Sequence, residues 1–273
     1  MLKIEKFVTP SPEQWEIVME GMRNPKNSWD RMDSYITHVQ DDETLETANF
    51  EFFMGDNDYD LAKRLRDGGP VHAKYRRMLP VWVTLTAPLY WWKEFDTYKV
   101  GTVANSCSTM HKIAAKEFEE SDFSVEHLFD AESEGIEFPI IYGKEHSPIW
   151  SLHVTIRMLN FYREKYLKAK DKKYWDQMIQ LLPSSYNQKR TVMLNYEVLA
   201  NIYESRKDHK LDEWHTFCHW IDELPYSELI TGYEEEDLGI INNDDIQKIC
   251  PVTKAPCSEC MSGGPCAVEE ESH

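Results

Sequence analysis

The sequence predicts an α+β fold in which a small sheet packs with a helical half. Three observations carry that expectation. Early segments alternate apolar and polar residues as strands do, the chain from about residue 147 onward shows helical spacing, and apolar residues suffice for a sizeable core. The 273 residues are 41% hydrophobic with nine tryptophans, which suits one large folded domain and excludes a disordered chain. Strands first and helices afterwards is the order of an α+β domain, not of alternating βαβ units.

Each element has its own local signal. Ser11-Pro12-Glu13 reads as a helix N-cap followed by proline at the first helical position. Trp15, Val18, Met19 and Met22 then fall at the i, i+3, i+4, i+7 spacing of a buried helical face. A short helix is expected at 59–65, stopped by Gly68-Gly69-Pro70. Val81, Val83 and Leu85 alternate, which makes 78–86 the best strand of two or three expected early in the chain. Helices are expected at 147–169, 171–181, 184–206 and 211–223, broken at Pro183, at Lys207-Asp208-His209 and at Pro225. Residues 1–245 would form this domain, and 246–273 a separate tail rich in Cys, Gly, Pro and acidic residues.

Charge narrows the function. Thirty basic against 48 acidic residues give a net charge of −18, which argues against general binding of nucleic acid or of an anionic membrane. A small anionic ligand in a locally basic pocket is compatible with it. No apolar run approaches the length of a membrane span, and the start Met1-Leu2-Lys3-Ile4-Glu5-Lys6 lacks the apolar stretch of a signal peptide. Cys107 and Cys218 are isolated and no disulfide framework spans the fold, so a cytoplasmic setting is expected, with Cys107 a small buried residue.

The stretch 87–112 carries the strongest functional signal. After Phe95 the helical periodicity fades and small polar side chains take over. Thr102, Asn105, Ser106, Ser108 and Thr109 offer donors and acceptors, while Lys93, Lys99, His111 and Lys112 offer positive charge. That mixture suits the phosphates and base edges of a nucleotide; it equally describes a polar loop packed under aromatic residues.

The order of residues resembles the flavin-dependent thymidylate synthases. Ala87-Pro88 matches that family's Ala-Pro, Lys93-Glu94 falls on its Arg-Gln, and Thr97-Tyr98-Lys99 falls on its Arg-His-Arg. Thr102 meets the first serine of a Ser-x-Asn-x-x-Ser-x-Arg-Tyr run; one inserted residue later Asn105 and Ser108 meet its asparagine and second serine, with Met110-His111 in place of Arg-Tyr. A second stretch fits without gaps: Leu182-Pro183, then Asn195, Leu199, Asn201, Arg206 and Asp208 at the family's spacing, with Glu197 where the family has arginine. Within the expected helix 184–206, Asn195, Leu199 and Arg206 would lie near one face. His72 falls where many members have a histidine before the strand.

The resemblance implies a flavin enzyme that methylates a pyrimidine deoxynucleotide, with FAD supplying reducing equivalents and methylenetetrahydrofolate the carbon. It places His72, Tyr98, Lys99, Thr102, Asn105, Asn195 and Asn201 against the flavin, and Lys93, Ser106, Ser108, His111 and Arg206 against the nucleotide. The family uses no enzyme cysteine on the pyrimidine, so Cys107 need not be a nucleophile. It also implies a homotetramer with shared sites, in which Tyr90, Trp91, Trp92 and Phe95 could face a partner chain as well as the core. A nucleotide binder that kept the fold without the reaction, and a purely structural protein, are the alternatives.

Two further features stand apart. Cys250, Cys257, Cys260 and Cys266 could close a tetrahedral zinc site, or else belong to a tail whose cysteines are incidental. His215 and His219, four apart on a helix, read as surface or core residues and not as a metal pair.

Overall fold

The computed structural model describes residues 1–39 and 49–232 of the chain, so the cysteine-rich segment and the expected boundary at 245 lie outside the described residues. In chain order the elements are β1 (Lys3–Val8), α1 (Pro12–Arg23), β2 (Tyr35–Val39), β3 (Asn49–Phe53), α2 (Asp56–Asp67), β4 (Pro80–Pro88), α3 (Leu89–Phe95), β5 (Val103–Ser106) and α4 (Thr109–Lys112). They continue with β6 (Ile140–Ile141), β7 (Lys144–Glu145), α5 (Pro148–Ala169), α6 (Lys172–Leu181), β8 (Asn187–Asn195), α7 (Tyr196–Arg206), α8 (Asp212–Asp222) and α9 (Glu228–Thr231). The architecture is α+β, as the sequence predicts.

The central sheet has the order β1-β4-β8-β5 and every pairing in it is antiparallel. β4 lies inside the sheet, and Val81, Val83, Leu85 and Ala87 are buried along it. Each fully buried aliphatic side chain of this kind contributes about 1.5–3 kcal/mol. Trp91 and Trp92 of α3 pack with each other and with Phe95, and Trp91 also packs with Trp214 and Phe217 of α8. Trp91, Trp92 and Phe95 are fully enclosed in the chain's own core, which corrects the expectation that they could face a partner. A second, smaller cluster joins Leu152, Ile156 and Leu159 of α5 to Met178 of α6, over Ile113, Phe118 and Phe123.

The helix expected at 184–206 is instead two elements. Residues Asn187–Asn195 run as β8, and only Tyr196–Arg206 is helical. The reason is legible in hindsight: Gln188, Val192 and Leu194 are buried on every second or fourth position, a strand period, and Thr191 and Val192 are β-branched. Asn195 is therefore the N-cap of α7, its side chain accepting the Val198 N–H at 3.0 Å, and does not share a helical face with Leu199 and Arg206.

Other boundaries follow their signals. Ser11 and Gln14 form a reciprocal capping box at α1, and Trp15, Val18, Met19 and Met22 are buried. The short helix expected at 59–65 extends over Asp56–Asp67, ending at Gly68. Gly55 precedes it because the Asp33 carboxylate occupies the space of any side chain, 2.2 Å from where a Cβ would stand. That carboxylate accepts the N–H groups of Asn57 and Asp58 and so caps α2 from outside the helix. Burial pushes the Asp33 carboxyl up, but these backbone donors and the Arg23 charge outweigh it and hold the pKa below its ordinary value. Behind it, Asp58 is fully buried, accepts Arg23 Nε at 2.5 Å, and accepts both the backbone and the hydroxyl of Ser34.

Candidate cofactor and nucleotide site

The antiparallel register brings one candidate cleft together. Pro80 at the start of β4 pairs with Asn195 at the end of β8, and Val103 at the start of β5 pairs with Met193. These four residues, with Arg77, Met78, Gly101 and Thr102, line a cavity of about 340 Å³. Met78 also lines a neighbouring cavity of about 450 Å³ that includes His72, Lys26 and Tyr75.

The turn before β5 shapes the cleft. Gly101 has φ +81, and a Cβ there would stand 3.0 Å from Val198 Cγ2 and 3.2 Å from Asn195 Nδ2. Both the dihedral and the close approach therefore require glycine. Thr102 follows, and its Oγ1 is buried with no hydrogen-bond partner among the described residues. A buried hydroxyl without a partner costs about 1–3 kcal/mol, so such an atom calls for an explanation.

A guanidinium stands on the same cleft. Arg77, in a short 3₁₀ turn before β4, donates from Nε to Glu197 Oε2 at 2.7 Å and from Nη2 to Glu197 Oε1 at 2.8 Å. Glu197 lies in the first turn of α7, where a carboxylate is also favoured by the helix dipole. Hydrogen bonding to Glu197 raises the Arg77 pKa above its ordinary value. The acidic residue at 197 thus does not leave the cleft without a guanidinium, because Arg77 supplies one from the opposite side.

Of the residues singled out in the sequence, Thr102 and Asn195 meet at this cleft, while exposed His72 lines the adjoining one. Tyr98 and Arg206 also meet, but within a staple between α3, α7 and α8. Arg206 donates to the Tyr98 hydroxyl and to Glu94, each at 2.8 Å, and Trp214 Nε1 donates to Glu94 at 3.0 Å. The Arg206 guanidinium lies 4.8 Å from the Trp214 ring centre. Ser108 caps α4 by accepting the His111 N–H at 3.0 Å. His111 lines a separate hollow of about 290 Å³ with Tyr166, Lys170, Lys172 and Trp175.

The remaining residues are dispersed. Lys93 and Lys99 are exposed, Asn105 and Ser106 lie exposed on β5, and Asn201 is exposed on α7. Cys107 is exposed, contrary to the expectation of a buried residue, because it follows the outer strand β5; Cys218 is buried, and that burial pushes its thiol pKa up to about 12. His215 and His219 are on the surface of α8 beside Asp212 and Glu223, as one of the two expected placements has it. Among the described residues no group of three or more His, Cys, Asp or Glu side chains could hold a metal ion, and no helix is long and apolar enough to cross a membrane.

Sequence reasoning missed Arg77, because its partner lies far along the chain and no local motif announces it. It also missed the hollow beside His111, although the basic run over 163–173 was a visible signal.

No protein-family model and no curated protein matches the chain. Solved structures do. A thymidylate synthase X from Helicobacter pylori, solved with FAD and dUMP, superposes with a TM-score of 0.53 at 14% identity, covering 85% of this chain and 97% of that one. The UMP/dUMP methylase PolB from Streptomyces cacaoi, bound with 5-Br dUMP, has a TM-score of 0.50 at 12% identity, covering 85% and 95%. At such identities the likeness establishes architecture: the chain has the fold of thymidylate synthase X.

Proposed function

We propose that the protein binds FAD and modifies a pyrimidine deoxynucleotide, by reductive methylation of dUMP or a related change. The observation that carries the reading is the meeting of Thr102 and Asn195. They come from two distant sequence runs that resemble the same family, and the fold brings them to one cleft.

The residues present suit a flavin. Met78, Pro80, Val103 and Met193 offer an apolar wall for a planar ring, and Thr102 Oγ1, Asn195 Nδ2 and Arg77 offer polar contacts at its margin. A bound flavin would supply the reducing equivalents, and methylenetetrahydrofolate the one-carbon unit. The chain's own part is to bind and orient: the Thr102 hydroxyl and Asn195 carboxamide would hold the cofactor at the cleft margin. The cleft lies beside the outer strand β5, so a neighbouring subunit in a homotetramer could complete it.

A second reading, nucleotide binding without turnover, is favoured by one observation. Arg206, which falls on the family's arginine, is held by a carboxylate of the chain itself, Glu94. Visible absorbance of the purified protein, before and after adding FAD, separates the two. A flavin band that bleaches with reductant and is restored by air supports the enzyme. No flavin under either condition, with a melting temperature that still rises on adding dUMP, supports the binder.

A further inference from the structure

We infer that Arg77, held in place by Glu197, is the phosphate-binding group of this cleft. The inference deepens the proposed function and rests on it, naming the group that distinguishes phosphorylated from unphosphorylated ligands.

Three observations support it. Arg77 engages Glu197 through Nε and Nη2 only, so the fork fixes the plane of the guanidinium while Nη1 has no partner among the described residues. The two partners differ in exposure: the Arg77 side chain is 54% exposed, whereas Glu197 is 13% exposed. An ion pair whose acid is the more enclosed partner and whose base stands open to the cleft presents positive charge outward. Finally, Arg77 shares the cleft with the unpartnered Thr102 hydroxyl and the Asn195 carboxamide, so a donor-rich margin surrounds an apolar wall.

A staple between the 3₁₀ turn and α7 would need the ion pair but no cleft. The fork with Glu197 can staple the 3₁₀ turn to α7, yet that use engages only Nε and Nη2 and leaves Nη1 for a ligand. A guanidinium fixed in one plane is suited to bidentate recognition of phosphate oxygens, and its carboxylate partner makes Glu197 a positioning residue. The phosphate could be the pyrophosphate of FAD or the monophosphate of a pyrimidine nucleotide; the chemistry recognised is the same.

The test uses the full-length protein and four probes: FAD, riboflavin, dUMP and deoxyuridine, with affinities measured by calorimetry. Arg77→Gln should weaken either FAD or dUMP by about ten- to hundredfold, as expected for loss of a charge-assisted hydrogen bond. Riboflavin and deoxyuridine should change by less than about threefold. Glu197→Gln keeps the guanidinium and should preserve most of the preference for the phosphorylated ligand. The arm that responds identifies which phosphate Arg77 holds. Equal losses for phosphorylated and unphosphorylated probes, or no loss for either pair, would overturn the assignment, as would Glu197→Gln abolishing discrimination as completely as Arg77→Gln. Failure of the wild-type protein to bind any of the four overturns the proposed function itself, and this inference with it. Melting temperatures of both variants, expected within a few degrees of wild type, distinguish a lost contact from a lost fold.

Discussion

Replacing Thr102 by valine separates a binding role from a structural one. The hydroxyl is buried without a partner among the described residues, so it imposes a desolvation cost of about 1–3 kcal/mol on the folded protein. Valine keeps the β-branch and nearly the shape, so the turn after Gly101 is preserved while the unpaired oxygen is removed. Stability of the ligand-free protein should therefore rise by about 1 kcal/mol, at the low end because the residue as a whole is only half-buried. For a chain of this size that is a rise of about 2–4 °C in melting temperature. Affinity for FAD should fall instead, by about two- to tenfold, the net worth of one hydrogen bond. Thermal melts with and without FAD read both effects. A Thr102→Val protein less stable than wild type would refute the idea that the hydroxyl is held at a cost. One that is more stable but binds FAD equally well would refute its role toward the ligand.

Three further outcomes follow from the geometry. Asp58→Ala should cost about 3–5 kcal/mol, seen as a lower urea midpoint, because it leaves the Arg23 guanidinium buried and unpaired; a loss below about 1 kcal/mol would contradict that. Burial raises the pKa of Cys218 from 9.0 to about 12 and raises those of Tyr75 and Tyr196 above 10.0. The folded chain thus keeps protons that the unfolded chain releases, so stability should hold below about pH 9 and fall as pH climbs from there toward 12; a flat denaturation midpoint across that window would be inconsistent. In native protein a thiol reagent should label Cys107 and spare Cys218 until denaturant is added, read by peptide mass spectrometry, whereas equal labelling would mean that Cys218 is not enclosed.

Much of the fold was legible where local chemistry decides it. The Ser11-Pro12 cap, the i, i+3, i+4, i+7 face beginning at Trp15, the alternation around Val83 and the stops at Gly68 and Pro225 each depend on neighbours in sequence. β1 was not legible, because Lys3, Glu5 and Lys6 interrupt its apolar pattern and its identity as a strand comes from pairing with the distant β4. β8 was mistaken for helix because it runs directly into α7 with no Gly or Pro between them. The site shows the same division. Thr102 and Asn195 were found by spacing along the chain, whereas Arg77 becomes meaningful only through a carboxylate 120 positions away. Arg206 and Tyr98 were also found by spacing, yet their partner Glu94 makes them a staple between helices, which no spacing conveys.

The most direct test of the cleft as a flavin site is the FAD affinity of Asn195→Asp beside wild type. Aspartate accepts the Val198 N–H as asparagine does, so the α7 cap and the fold remain. What changes is the cleft, where a neutral amide donor becomes a carboxylate. Wild type should bind FAD saturably and the variant about tenfold more weakly or worse, with melting temperatures of the ligand-free proteins within a few degrees of each other. Wild-type protein that binds no FAD, or a variant that binds it as tightly as wild type, would contradict the assignment of this cleft.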